Sequence, residues 1–404
     1  MTEERVVIAG AGPVGLTLGL ALRRQGVPVA IVEAGETYCQ EFRAPAFHAP
    51  TLDMLDTLGL AERMKSMGLL VPTMRFTDRS LGRQAELDMD ILRECGLTKH
   101  PYDLILGQRA FAQIAFDLCV EAGVEFLFNH RVEGVGQDDQ SAWVDCVTPA
   151  GDVRVRGRYL VGCDGGRSAV RKSLPVEFEG FTWPERFLMI HLTDDFEPIV
   201  GKVNFLANGP DWRLVLKIPY GPGKGDWVTR VVSSLSPDVS ESDVADEAFL
   251  LGRLDGLAPG RSEKFAIRDH YVYNVHQRVA STFHVGRVLL AGDAAHINNP
   301  LGGLGLNCGV HDAVNLADKL GRIWRGEASD DALDLYDRQR RLTNAEHIQK
   351  TSIENKARQE EADLERRALA MDAMEAMQRD SQMRLAFLKR WTMIDSLTYE
   401  QSIT

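Results

Sequence analysis

Arg5-Val6-Val7-Ile8-Ala9-Gly10-Ala11-Gly12-Pro13-Val14-Gly15 decides how the rest of the chain is read. Arg5 to Ala9 has the character of a short buried strand, and G-x-G-x-x-G follows it directly. Val14 to Gln25 then carries apolar residues at helical spacing, with Leu16 and Leu20 on one side and Gly26 as a stop. Val27 to Val32 reads as a second strand ending at Glu33. Strand, glycine turn, helix, strand and acid together form the full context of a dinucleotide fingerprint. Gly10 permits the tight turn, Gly12 lets the backbone approach a pyrophosphate, and Gly15 lets helix and strand pack closely. The helix that opens at Pro13 offers the unpaired N–H groups of its first turn, from Val14 onward, to phosphate oxygens. Glu33, beside Ala34, stands where a carboxylate accepts from ribose hydroxyls.

The 404 residues, 44% hydrophobic and 26% charged, allow two or three ordinary domains with a large core. A formal net charge of −12 disfavours nucleic acid and anionic membrane as partners, because both need a basic face. The opening residues lack a signal-peptide pattern, and no uncharged apolar run is long enough to span a bilayer. Six cysteines (Cys39, Cys95, Cys119, Cys146, Cys163, Cys308) are scattered without a C-x-x-C pair. They read as reduced thiols of a cytoplasmic protein, and no metal site is expected.

Two later segments join the first: Gly162-Cys163-Asp164-Gly165-Gly166-Arg167-Ser168-Ala169-Val170-Arg171, and Gly292-Asp293-Ala294-Ala295-His296 through Asn307. Each follows an apolar strand, Arg158–Gly162 and Arg287–Ala291. With the N-terminal glycines they resemble, in order and spacing, the signatures of the single-component FAD-dependent aromatic hydroxylases, the p-hydroxybenzoate hydroxylase-like family. The match covers roughly residues 4 to 345. It implies an α/β fold: a Rossmann-type FAD-binding domain, an inserted β-sheet substrate domain and a C-terminal helical region. The expected boundaries are 1–180 (FAD-binding, with substrate-domain excursions), 181–275 (substrate), 276–335 (FAD-binding, completed) and 336–404 (helical).

The resemblance also implies roles. FAD would meet Gly10, Gly12, Pro13, Val14, Gly15, Glu33, Ala34, Arg43, Gln108, Asp164, Gly292, Asp293, Gly305, Leu306 and Asn307. Asp293 would accept from the ribitol chain, and a helix starting near Asn307, with Val310, Ala313, Val314, Ala317 and Leu320 as its apolar stripe, would place N–H groups at the flavin's pyrimidine edge. Arg43 would pair with pyrophosphate, and Gln108 would open the helix Gln108–Val120. Ser168 and Arg171 are open between ligand contact and local structure.

His48 would lie near the isoalloxazine ring, Arg213 would touch the flavin, and the Pro300 carbonyl would face the substrate hydroxyl; these three are the expected catalytic residues. Where family members often carry Pro-Pro, this chain has Asn299-Pro300, which would let the Asn299 side chain reach the pocket.

The middle third alternates as strands over Phe187–Leu192, Lys202–Ala207, Trp212–Ile218 and Trp227–Ser233, with Asn208-Gly209-Pro210-Asp211 as a hairpin-type turn. His191, Phe205, Ala207, Val215, Tyr220 and Pro300 are the expected substrate contacts. Ala207 and Phe205 stand where the type member has the arginine and serine that clamp a benzoate carboxylate, so a benzoate held that way is not expected. Gly221-Pro222-Gly223-Lys224-Gly225-Asp226 lacks the P-loop's spacing and final hydroxyl residue and reads as a loop. Met371, Met374 and Met377 read as packing, an active-site cover or a homodimer seam.

With one dinucleotide fingerprint taken by tightly bound FAD, NADH or NADPH would visit as a transient co-substrate. The family's chemistry is then ring hydroxylation of a small activated aromatic (phenol or hydroxypyridine) with O2 through a flavin C4a-hydroperoxide. A flavin reductase or saturase on the same fold, and a non-catalytic flavin-binding protein, stay open.

Overall fold

The computed structural model describes residues 4–41, 45–219, 226–257 and 265–404. Its first core is a six-stranded sheet in the order His284–Val285, Val288–Leu290, Tyr159–Gly162, Val6–Ala9, Val29–Val32, Glu125–Leu127. All of these pair in parallel except His284–Val285. The four central strands are buried on both faces, which is why they read as unbroken apolar runs. Register does the functional work: Ala9 pairs with both Gly162 and Val32, and Gly162 pairs with Leu290. The carboxyl ends of the strands therefore align, and the loops carrying Gly10, Glu33, Asp164 and Asp293 emerge at one edge. That edge is where open parallel sheets bind ligands.

The helix Pro13–Arg24 buries Leu16, Leu18, Leu20 and Leu22 against this sheet. The helix Leu304–Trp324 begins three residues earlier than Asn307, with left-handed Gly303 as its N-cap. Of its expected stripe, Val310, Ala313, Ala317 and Leu320 are buried, and Val314 is half-buried against the same core.

The second core is an eight-stranded sheet: His296–Ile297, Ile267–Ala280, Phe178–Leu192, Trp227–Leu235, Arg213–Pro219, Val203–Ala207, Thr73–Asp78, Arg83–Asp88. Its last two strands come from the first quarter of the chain. The expected strand starting at Phe187 is the second half of a longer one from Phe178. Both faces are apolar. The inner face sets Phe187, Phe205, Leu214, Leu216, Val228 and Val232 in one core with Met371, Met374, Leu388 and Trp391 of the C-terminal helices. The outer face sets Leu188, Ile190, Leu206, Val215 and Val231 under Phe196, Val244 and Leu250. Met371 and Met374 are thus internal packing between the helix Leu364–Arg379 and the sheet, which corrects the dimer-seam alternative.

Among the described residues, no helix is long and apolar enough to cross a membrane.

Candidate functional site

A continuous cavity of about 2130 Å³ joins the carboxyl edge of the six-stranded sheet to the inner face of the eight-stranded one. Drug-sized ligand pockets run to about 300–1,000 Å³, so there is room for a dinucleotide and an adjoining small molecule. Gly10, Gly12, Pro13, Val14, Glu33, Ala34, Gln108, Asp164, Asp293, Gly305 and Leu306 line it toward the first sheet. His48, Pro300, Phe205, Leu214, Leu216 and Arg230 line it toward the second.

The residues present fit FAD on three observations. Gly12 caps the first helix without a side-chain bond, and a Cβ there would meet nothing within 4 Å, which leaves open ground beside the helix N-terminus. Gly15 cannot gain a Cβ, because the Gly10 carbonyl oxygen would lie 2.1 Å away; it sets packing and not ligand contact. Glu33 accepts from Ala11 N–H at 2.8 Å and Gly35 N–H at 2.9 Å, so the turn itself holds the acid at the cavity wall. Asp293 is exposed between buried Gly292 and Ala294 and faces the cavity. Gln108, the first residue of its helix, is buried with Nε2 3.5 Å from Cys39 Sγ. Arg43 and Tyr220, with the Gly221–Gly225 loop, lie outside the described residues.

Several expected contacts are also tied into the scaffold. Asp164 lines the cavity, but its carboxylate accepts from Ala169 N–H (2.7 Å), Val170 N–H (3.1 Å) and Ser168 Oγ (2.5 Å), capping the short helix Ala169–Lys172. Arg171 is structural too: it donates to the Ala294 and Gly166 carbonyls and covers the Phe178 ring at 3.8 Å. Gly292 is buried, with its N–H on Asp312 Oδ2 at 2.9 Å. Asn307 Oδ1 accepts from His48 N–H, and its Nδ2 donates to the Ala46 and Gly303 carbonyls.

On the substrate side, the structure corrects the expectation for Arg213 and Val215. Both lie on the outer face: Val215 is in the core beneath Phe196, and Arg213 donates to the carbonyls of Arg253, Asp211 and Trp212. Leu214 and Leu216 face the cavity in their place. Ala207 shares Phe205's face but sits at the strand end, off the cavity wall. Phe205 stacks on Phe76 (5.2 Å) and meets Trp391 edge-on (5.2 Å), closing that end. His191 is fully buried behind Arg230. Asn299 does not reach the pocket either: its Nδ2 donates to Gln277 Oε1, and its Oδ1 accepts from Leu301 N–H. Pro300 lines the cavity, and its carbonyl accepts from Gly303 N–H at 3.0 Å.

His48 stands between the two halves. Phe47 pairs with Leu104, which brings Asp103 beside it. Nδ1 is 2.8 Å from Asp103 Oδ1, and Nε2 is 2.7 Å from the Gly302 carbonyl oxygen. Both neighbours are acceptors, so the ring serves both only as an imidazolium. Burial alone would depress its pKa, but the Asp103 charge and the two hydrogen bonds hold it above the ordinary 6.5. The stabilisation is therefore fully present below about 6.5 and is lost as pH rises through the raised value. Replacing His48 with Gln is expected to cost about 3–5 kcal/mol at pH 6, and less at pH 9, because it leaves buried Asp103 uncompensated. Melting curves of both proteins at the two pH values check this; equal gaps would rule out the charged ring.

Sequence reading missed Arg230, Asp103 and the buried group Asp312, Arg340 and Glu400. Only Arg230 carried a visible signal, as a lone charge in Val228-Thr229-Arg230-Val231-Val232.

A family model described as an FAD binding domain matches residues 3–351. Over 366 residues the chain is 36% identical to a para-nitrophenol 4-monooxygenase of Pseudomonas sp. (strain WBC-3), covering 90% of this chain and 89% of that one. It is 33% identical over 345 residues to a 3-(3-hydroxy-phenyl)propionate/3-hydroxycinnamic acid hydroxylase of Mycolicibacterium smegmatis, spanning 83% of this chain but 58% of that longer protein. The crystal structure of a p-nitrophenol 4-monooxygenase from Pseudomonas putida matches with a TM-score of 0.90 at 32% identity, covering 97% of this chain and 98% of the other.

Proposed function

Because the chain belongs to the FAD-binding family of single-component aromatic hydroxylases, we propose that it hydroxylates a small, activated aromatic ring of phenol or hydroxypyridine type, with NADH or NADPH as reductant and O2 as oxidant. The balance is ring C–H plus O2, NAD(P)H and a proton giving ring C–OH, water and NAD(P)+. The observation that carries the substrate size is the closed apolar end of the cavity, where Phe76, Phe205, Phe387 and Trp391 pack edge and face.

FAD, when bound, supplies electron transfer and oxygen activation. The chain supplies the setting. Leu214, Leu216, Val232, Phe205 and Trp391 exclude water from the reacting ring. The N-terminus of the helix Leu304–Trp324, beside the His48 imidazolium, concentrates positive potential where the loop Pro300–Gly303 meets the cavity. Scattered cysteines without a disulfide support a cytoplasmic setting.

The test is consumption of NAD(P)H and O2 by the purified yellow holoenzyme across phenols and hydroxypyridines, with peroxide and ring products quantified. One compound is expected to accelerate NAD(P)H oxidation and give hydroxylated product with little peroxide. Turnover of a substrate without O2 consumption would replace this reading with a reductase.

A further inference from the structure

The loop Asn298–Gly303 runs along the cavity where its two parts meet. Pro300, Gly302 and Gly303 line it, and Leu301 also packs into the inner core with Phe205 and Trp391. Such a segment is soft by itself, since Gly302 and Gly303 hold φ +104° and +69°. Its polar atoms are nevertheless tied down from elsewhere in the chain. The Leu301 carbonyl accepts from Asn355 Nδ2 at 3.3 Å, the Gly302 carbonyl from His48, and the Gly303 carbonyl from Asn307. The backbone N–H and the Nδ2 of Asn299 both donate to Gln277 Oε1 at 3.2 Å.

Gln277 breaks the pattern of its own strand. It follows Tyr273 and Val275 on the inner face of Ile267–Ala280 and is 3% exposed. A buried carboxamide is costly unless it is bonded, and this one is bonded at both ends. Oε1 takes the two Asn299 donors and Trp183 Nε1 at 3.4 Å. Nε2 donates to Ser352 Oγ at 2.7 Å and to the Gln349 carbonyl at 3.3 Å. Gln349, Ser352 and Asn355 lie at i, i+3 and i+6 on the helix Gln349–Gln359, and all three are buried. Gln349 Nε2 also reaches the Ile297 carbonyl at 3.1 Å. A π-helical turn, Asn344–Ile348, precedes this polar stripe and aims it. One extra residue in a turn rotates everything after it by about 100°. Before that turn, Tyr336 and Arg340 are fixed to the Leu290 carbonyl and to Asp312. One continuous helical run therefore ties the FAD-side core to the loop.

We propose that Gln277 is a positioning residue that clamps the loop Asn299–Gly303 between the roof strand Ile267–Ala280 and the helix Gln349–Gln359. The clamp sets where that loop meets flavin and substrate. It keeps three carbonyl oxygens on protein donors, so they do not turn into the cavity. The positive end of the helix Leu304–Trp324 then acts there without opposing dipoles. Reduced flavin carries the greater negative charge, so a loosened clamp lowers the flavin's reduction potential. A loop displaced by about 1 Å also costs oxygen transfer to a ring beside it. The effect on oxygen transfer rests on the hydroxylase reading; the effect on the potential does not.

The test compares FAD-loaded wild type with Gln277→Met, which fills the volume and makes none of these bonds, in excess FAD. The deciding readout is the midpoint potential of the bound flavin, measured by dye equilibration. The second is the ratio of hydroxylated product to peroxide across phenols and hydroxypyridines. Gln277→Met is expected to show a more negative potential and a ratio lower by about threefold or more. Gln277→Glu is expected to recover most of both, because burial keeps the acid neutral and a neutral acid both accepts and donates. Ser352→Ala removes one acceptor from Gln277 and is expected to move both readouts the same way by less. It keeps the test alive should the methionine variant not fold. A Gln277→Met protein that melts lower but keeps the wild-type potential makes Gln277 merely structural and overturns the clamp. If that variant does not fold, a wild-type potential in Ser352→Ala overturns it instead. Product from wild type with an unmoved potential in the variants keeps the hydroxylase reading and removes the clamp. A shifted potential with no product from any compound keeps the clamp and removes that reading.

Discussion

Replacing Arg340 with methionine is expected to lower the apparent melting temperature by about 10 °C and to release flavin, the largest effect of any single change far from the cavity. Arg340 is fully buried. Its Nε donates to Asp312 Oδ1 at 2.6 Å, its Nη1 bonds Glu400, and its Nη2 lies 3.2 Å from the Cys308 carbonyl oxygen and 3.1 Å from Cys308 Sγ. The other oxygen of Asp312 accepts from Gly292 N–H at 2.9 Å and meets His296 Nε2 at 2.6 Å. Two cations and two carboxylates therefore balance inside the protein. Methionine fills the volume but strands two carboxylates against one histidine. Removing one partner of a buried pair costs about 3–5 kcal/mol, out of a total stability of about 5–15 kcal/mol.

Flavin loss follows from the same bonds, because Asp312 fixes the Gly292 amide and so the loop that presents Asp293. Charge states set the pH window. Burial opposes both ions, but their mutual attraction wins and places Asp312 at about 2 and His296 at about 10. The carboxylate's contribution holds above its ordinary 3.8 and fails as pH falls toward 2. The imidazolium's contribution holds below its ordinary 6.5 and fails as pH rises toward 10. Thermal melts with flavin release recorded alongside, at neutral pH, check the prediction. A methionine variant that melts within about 1 °C of wild type and keeps its flavin would show that the network carries no stability.

The contrast between this network and the glycine turn explains what could be read in advance. The dinucleotide site is local: Gly10, Gly12, Gly15 and Glu33 announce strand, turn, helix and acid within one βαβ unit. Asp312, Arg340 and Glu400 lie on three helices whose packing no short motif records. The roof failed for a different reason. Period-2 alternation was correct in Trp212 to Ile218, yet both faces of that sheet are buried in apolar cores. Periodicity says that a strand has two faces, and cannot say which one meets the ligand when both are apolar. Arg213 and Val215 were therefore assigned to the wrong side, while Arg230 went unnoticed on the right one.

Two glycines two positions apart in the same turn should fail differently when each is given a methyl group. Gly10 has φ +106°, and a Cβ there would lie 2.5 Å from the Cys163 carbonyl oxygen and 3.1 Å from Asp164 Cα. Those atoms are backbone, held by the pairing of Ala9 with Gly162, so they cannot swing aside. Gly10→Ala is expected to cost about 2–6 kcal/mol, the sum of left-handed strain and overpacking. It should separate the first and second glycine-rich segments and yield a protein purified without its yellow colour. Gly12 has φ −83° and open space where its Cβ would be. Gly12→Ala should leave the apoprotein's melting temperature nearly unchanged, since a poorer N-cap residue costs roughly 0.5–1 kcal/mol. Its methyl group occupies ground that a pyrophosphate needs, so FAD affinity should fall by about tenfold or more. Absorbance ratios at 450 and 280 nm on purified protein, and FAD titration of apoprotein by fluorescence, separate the two cases. A Gly10→Ala variant with full flavin and unchanged melting would mean that the turn can relax. A Gly12→Ala variant with undiminished affinity would mean that the phosphates bind elsewhere along the cavity.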